Sequence, residues 1–306
     1  MTKSLIIGAG SIGIRHMEIL EELGHEIAIV SNRTDISTLT FLQINKALEI
    51  FKPDYIIISN ETYKHIETII KIFDCGFQNK VLVEKPISQD LKKISSLKYP
   101  TDMVFVGYNL RFHPCIQFIK ELLYSETILS ANIYVGQFLP HWRPNRDYKK
   151  SYSSDHRKGG GVLLELSHEL DYLLYLFGKC KKSISLVSKL SDLDINCDDT
   201  AVGIFEFEKC KQISFNLNLI DKNGRREIIL NTNKNTYKLD LYNNKIFVNN
   251  EIKGFCFNKN ESYKNMHLDI LNNDGIDSCN FKESLETLKL IDKLKNQYNL
   301  SKLQND

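Results

Sequence analysis

Three glycines near the start of the chain constrain its fold more than any other feature. The apolar run Leu5-Ile6-Ile7 leads into Gly8-Ala9-Gly10-Ser11-Ile12-Gly13, and a helical stretch, Ile12–Leu23, then runs to Gly24. A Gly-x-Gly-x-x-Gly turn between a strand and a helix opens a βαβ unit suited to a dinucleotide. Gly8 permits the tight turn. Gly10 removes the Cβ that would stand in front of a pyrophosphate, and Gly13 lets the helix pack closely on the strand. The helix aims its first amides, those of Ser11 and Ile12 among them, and the positive end of its dipole at the phosphates.

Further short apolar runs follow at Ile27–Val30, Tyr55–Ser59, Val81–Val83 and Met103–Val106. Apolar throughout, they read as parallel strands covered on both faces. Helical stretches lie between them, His65–Cys75 ending at Gly76. Alternating strands and helices predict a doubly wound parallel sheet. The end of the second strand bears on the cofactor. Ile29-Val30-Ser31-Asn32-Arg33-Thr34 lacks the acid that usually binds a ribose 2′-hydroxyl in an NAD site. Ser31 and Thr34 can hydrogen-bond a 2′-phosphate instead and Arg33 can neutralise it, with Asn32 beside them as a further cofactor contact. NADP(H) is therefore favoured, and nearby Asp35 leaves NAD(H) open.

The second half reads differently. Ile128–Val135 is expected to be a strand and Val162–Phe177 a single helix ending at Gly178. Strand-like runs from Ala201 to Val248 are separated by Asp221-Lys222-Asn223-Gly224 and Asn243-Asn244, both expected as hairpin turns. These features predict a mostly antiparallel sheet and a last helix over Phe281–Asn296. A length of 306 residues accommodates two domains. The expected division is a cofactor domain over residues 1–115 and a second domain over 116–306.

Composition removes several functional classes. Lys and Arg total 40 against 38 Asp and Glu, leaving no basic excess to attract nucleic acid. The apolar runs are too short to span a bilayer. Seven scattered cysteines without Cys-x-x-Cys argue against a disulfide framework or a zinc site. The first residues lack the apolar core of a signal peptide, so a cytoplasmic protein is expected.

Two stretches carry candidate chemistry. Val81-Leu82-Val83-Glu84-Lys85-Pro86 places a lysine at the carboxyl end of a parallel strand, where open α/β sheets bind ligands. Its ammonium can stabilise negative charge on a reacting oxygen. Gly159-Gly160-Gly161 precedes a leucine-rich helix on which Glu165, His168, Glu169 and Tyr172 fall on one stripe. Polar groups on a buried helix need partners or a ligand. His168 suits proton transfer near neutrality, and Glu165 could orient it or bind a substrate hydroxyl. The loop Leu139–Tyr152 holds the only tryptophan, Trp142, with Arg143, Arg146, Lys149 and Lys150. Such a loop could stack on a sugar ring and bind an anion.

Taken in order, these motifs resemble those of the Gfo/Idh/MocA oxidoreductases, which include glucose-fructose oxidoreductase and inositol dehydrogenase. Thr62-Tyr63-Lys64-His65 and Val106-Gly107-Tyr108-Asn109-Leu110-Arg111-Phe112-His113-Pro114 extend the resemblance over nearly the whole chain. It implies a Rossmann domain, a C-terminal α/β domain with an open, mainly antiparallel sheet that serves substrate binding and oligomerisation, and NAD(P)-dependent hydride transfer on a sugar, cyclitol or related polyol. Lys85 matches the family's active-site lysine. Asn60, Thr62, His65 and Glu84 match segments near the nicotinamide end. Asn109 and Arg111 match a segment leading to the substrate, with Trp142, Arg143, Tyr152, Glu169 and Tyr172 as further substrate contacts.

One departure stands out. The family pattern has an aspartate with a histidine four residues later. Here Glu165 takes the acid position, His168 is three residues on, and Glu169 is at four. The proton acceptor is thus open between His168 and a relay through Glu169. The basic loop is similar to that of members found among bacterial surface-sugar and flagellin-glycan genes (PtmF-like proteins), implying a nucleotide-activated or acidic sugar. The resemblance also implies a homo-oligomer formed through the C-terminal sheet. A cofactor-binding regulator without turnover is the alternative on the same fold.

Overall fold

The computed structural model describes residues 1–142, 147–249 and 251–303. The chain divides into two compact units. One is Met1–Phe112 with Asn258–Leu288; the other is His113–Phe257 with the chain from Lys289 on. Asn258–Leu288 thus returns to the N-terminal unit, which a division at one point of the chain does not provide for.

Among the described residues, the first unit's sheet has seven strands: β1 (Lys3–Ile7), β2 (Glu26–Val30), β3 (Leu39–Phe41), β4 (Tyr55–Ile58), β5 (Val81–Val83), β6 (Val104–Val106) and the short Cys279–Asn280. The order is Cys279–Asn280, β6, β5, β4, β1, β2, β3. β1 to β6 run parallel, and Cys279–Asn280 lies antiparallel to β6. The strand order reverses between β1 and β4, the switch point where such sheets bind ligands. All four residues of β4 are buried, as a strand covered on both faces requires. The core of Ile6, Leu20, Ile29, Ile57, Leu82 and Phe105 takes in Met266 and Ile270 from the returning helix Lys259–Asn272. β3 was not expected. Its three residues are at most half-buried and show no readable period.

The second unit's sheet contains β7 (Ile128–Gly136), β8 (Cys180–Ser188), β9 (Thr200–Phe207), β10 (Gln212–Asn218), β11 (Arg225–Thr232), β12 (Thr236–Asp240), β13 (Lys245–Val248) and β14 (Glu251–Gly254). Their order is β14, β13, β12, β11, β7, β10, β9, β8. Among the described residues, only β7 and β10 pair in parallel, so the sheet is mainly antiparallel, as expected. Asn243-Asn244 does turn β12 into β13. Asp221–Gly224 does not form a hairpin, because β10 and β11 flank β7 on opposite sides. The turn crosses the end of β7, where a Cβ on Gly136 would lie 2.4 Å from the Asp221 Cβ. Turn residues announce a reversal without naming the neighbour.

One sheet face is core, with Ile133, Val135, Leu217, Ile228 and the stacked rings of Phe205 and Phe215 at 4.6 Å. The other exposes Ile184, Leu186, Val202 and Ile204, paired across β8 and β9. The helix expected over Val162–Phe177 is two, Val162–Glu165 and His168–Phe177. Leu166, at φ −101° and ψ 35°, breaks it. Every residue from Val162 to Leu173 is buried, so no polar face exists in which a lost period would be visible. Among the described residues, no helix is long and apolar enough to cross a membrane.

Candidate active site

In the first unit the glycine turn has the predicted shape. Gly8 adopts φ +107°, and a Cβ there would lie 2.7 Å from the Asn60 amide nitrogen. A Cβ on Gly13 would stand 2.0 Å from the Gly8 carbonyl oxygen. A Cβ on Gly10 would meet nothing within 4 Å. Gly8 and Gly13 are therefore glycines because protein is in the way, and Gly10 opens onto free space. Gly10 caps helix Ser11–Glu22 without a side chain, so no cap competes for the amides of Ser11, Ile12 and Gly13. The geometry suits a pyrophosphate.

Arg33 lies beside this turn. Its Nη1 donates to the Ala9 carbonyl at 2.8 Å, while Nε and Nη2 grip the Asp35 carboxylate at 2.9 and 2.6 Å. The Arg33 amide donates to the Ser31 hydroxyl at 3.0 Å, and Asn32 is exposed. Asp35 is held below the usual carboxylate range by the guanidinium. Sequence reading placed Arg33 but did not foresee that Asp35 would occupy it.

The loops after β4 and β5 carry the next group. Asn60 donates to Thr68 Oγ1 at 2.9 Å, and its buried Oδ1 has no hydrogen-bond partner among the described residues. Thr62 is buried at the head of a short turn. His65 is buried with Nδ1 2.9 Å from the Pro86 carbonyl and Nε2 3.1 Å from that of Asn60. It therefore ties the two loops together. Burial lowers its pKa, against the opposing pull of both carbonyls and Glu84. Glu84 turns inward, its Oε1 2.9 Å from His16 Nε2. Lys85 follows, half-buried at the strand end. Asn109 and Arg111 are also buried in this unit. Asn109 donates to Ser262 Oγ at 2.7 Å, and Arg111 pairs with Glu283 at 2.9 Å. Both bind the returning segment.

In the second unit, the triple glycine packs against protein. A Cβ on Gly160 would lie 2.5 Å from the Ser153 carbonyl, and one on Gly161 2.8 Å from Asp198 Oδ1. The backbone of half-buried Tyr152 borders the same place. The Val162 amide donates to the Asp198 carbonyl at 2.9 Å. The helix break means that Glu165 no longer shares a continuous stripe with His168, Glu169 and Tyr172. All four remain buried, Glu165 and His168 at 8% and 9% exposure. Glu169 forms an ion pair with Arg226 of β11 at 3.0 Å. Sequence spacing had no means of finding Arg226, which arrives from 57 positions away in the chain. The buried Tyr172 hydroxyl and Trp142 Nε1 lack hydrogen-bond partners among the described residues. Burial holds the Tyr172 phenol well above its ordinary value. Arg143 and Arg146 lie outside the described residues.

The comparisons agree with this fold. The model of the oxidoreductase family C-terminal alpha/beta domain (GFO_IDH_MocA_C) matches residues 132–302. No curated protein matches the chain by sequence. Among solved structures, an oxidoreductase from Thermotoga maritima is 20% identical with a TM-score of 0.79, covering 97% of this chain and 96% of its own. The WlbA dehydrogenase from Bordetella pertussis, in complex with NADH and UDP-GlcNAcA, is 16% identical at TM-score 0.77, covering 98% and 96%. The UDP-N-acetylglucosamine 3-dehydrogenase GnnA from Acidithiobacillus ferrooxidans is 14% identical at 0.76, covering 97% of each chain. With a family-domain match over more than half its length, this chain belongs to the Gfo/Idh/MocA oxidoreductase family.

Proposed function

We propose that this protein is an NAD(P)-dependent oxidoreductase acting on a CH–OH group of a sugar or nucleotide-activated sugar, with a cytoplasmic role in bacterial surface- or flagellin-glycan biosynthesis. The observation that carries the reading is the glycine turn, closed at Gly8 and Gly13 and open at Gly10. WlbA and GnnA, which share the fold, are named for UDP-sugar ligands or substrates, and this supports the substrate class. When bound, the nicotinamide supplies or takes the hydride. Lys85 donates a hydrogen bond to the reacting oxygen and stabilises charge there. His168 exchanges the hydroxyl proton, and Glu165 orients it. Trp142, Tyr152 and Tyr172 contact the sugar.

NADP(H) is the favoured cofactor. An exposed Arg33–Asp35 pair contributes little on its own, and a 2′-phosphate would compete well for the guanidinium. NAD(H) is the second reading, drawing on Asp35 beside Arg33, whose carboxylate could accept from a ribose hydroxyl. Titration with both cofactors decides between them. Lys85→Met should cut kcat by about 10²–10⁴ with cofactor affinity nearly unchanged. Near-normal turnover would remove Lys85 from the mechanism. The regulator alternative draws on Glu169, which stands at the family's histidine position but is engaged by Arg226. Cofactor binding without turnover on any sugar would favour it.

A further inference from the structure

Four side chains of the first unit form a hydrogen-bond chain that the proposed chemistry leaves unused. The Tyr55 hydroxyl lies 3.1 Å from His267 Nδ1. His267 Nε2 lies 2.9 Å from His16 Nδ1, and His16 Nε2 lies 2.9 Å from Glu84 Oε1. Tyr55, His16 and His267 have no exposed surface. They come from β4, from helix Ser11–Glu22 and from helix Lys259–Asn272, and Glu84 directly follows β5. The rings meet edge-on, and Tyr263 closes another side of His16 at 5.5 Å. Gly107 makes room for the carboxylate: a Cβ there would stand 2.9 Å from Glu84 Oε1.

Proton counting orders the chain. A neutral imidazole donates through one nitrogen and accepts through the other, and an ionised carboxylate only accepts. With Glu84 ionised and both imidazoles neutral, one arrangement satisfies all three contacts. Tyr55 O–H donates to His267 Nδ1, His267 Nε2–H donates to His16 Nδ1, and His16 Nε2–H donates to Glu84. The bonds run head to tail, so each polarises the next. Burial holds His267 well below the ordinary imidazole value, which keeps it neutral.

We infer that Tyr55, His267 and His16 are positioning residues: they hold Glu84 as an inward-facing ionised acceptor and so fix the backbone from which Lys85 emerges. Only the consequence for Lys85 rests on the proposed function; the bond order does not.

The test needs no substrate. Long-range proton–nitrogen correlation spectra of histidine-labelled protein should show both His16 and His267 as Nε2–H tautomers. In Glu84→Gln the obligatory acceptor is gone, and an Nδ1–H population should grow at both rings. A charged imidazole, or an Nδ1–H tautomer at either ring in the wild-type protein, overturns the relay. Reductive ¹³C-methylation then reports on Lys85, its signal assigned by its loss in Lys85→Met. That signal should move in His267→Phe and return toward its original position in His267→Gln, whose amide can both donate and accept. Should His267→Phe fail to fold, Tyr55→Phe, which loses one oxygen atom, should give a smaller shift of the same sign. An unmoved Lys85 signal in a folded variant overturns the positioning role. Turnover on sugars is measured separately, so failure of the enzyme reading leaves these outcomes intact.

Discussion

At the scale of single residues, the three glycines separate into two kinds. Gly13 faces the Gly8 carbonyl and Ser59 Oγ so closely that a methyl group has nowhere to go. Gly13→Ala should cost about 1–3 kcal/mol in urea unfolding, by overpacking against backbone, and should abolish cofactor binding. Gly10 meets nothing. Gly10→Ala should therefore unfold like the wild-type protein yet bind NADPH or NADH more weakly, as fluorescence titration would show. Equal stability losses in the two variants would contradict this division. The spacing of the glycines was readable because the turn itself, which brings Gly13 against the Gly8 carbonyl, closes within a few residues. Arg226 beside Glu169, and His267 beside His16, were not readable, because those contacts join segments far apart in the chain. His16 did leave a trace: it shares the buried face of its helix with Gly13, Ile19 and Leu20.

At the scale of elements, helix Lys259–Asn272 shows how a local signal can serve a distant purpose. Asn258 caps it, and Glu261 returns a bond to the Asn258 amide, completing a capping box. The helix delivers Met266, His267 and Ile270 to the first unit's core. Asn258→Ala should lower stability by about 1 kcal/mol in denaturant unfolding, and a change below experimental error would mean that packing alone sets this helix. Other elements were less readable. Seven leucines among the sixteen residues from Val162 to Phe177 hid the break between Val162–Glu165 and His168–Phe177. The Asp221–Gly224 turn carried the right residues for a reversal but crossed β7, an outcome decided by strand order.

At the scale of the whole molecule, buried histidines give a pH dependence of defined sign. Burial, opposed by a hydrogen bond with Asn244 and reinforced by the charge of Arg226, lowers His113 from 6.5 to about 4. His65 and His267 shift in the same direction. The unfolded chain takes up protons first, so stability is complete above 6.5 and is lost as pH falls toward 4. His113 alone accounts for about 3 kcal/mol of that loss. In acid-unfolding curves, His113→Asn, which keeps an acceptor at the cap of helix Pro114–Leu122, should lose less stability across this window. The exposed apolar face of β8 and β9 makes a second prediction. If copies associate through this sheet, as the family resemblance implies, Ile204→Glu should reduce the oligomer to monomer in light scattering after gel filtration. An unchanged mass would exclude that surface.

The sequence by itself determined the glycine turn, five of the six parallel strands, the place of Lys85 just past a strand end and the mainly antiparallel character of the second sheet. Each depends on short-range pattern: glycine spacing, runs of β-branched residues, turn chemistry. Tertiary structure alone decided that β10 would lie parallel to β7, that Asn258–Leu288 would return to the first unit, and that Arg226 and His267 would meet Glu169 and His16. Those outcomes follow from which surfaces bury best against each other, and a linear pattern does not contain that information.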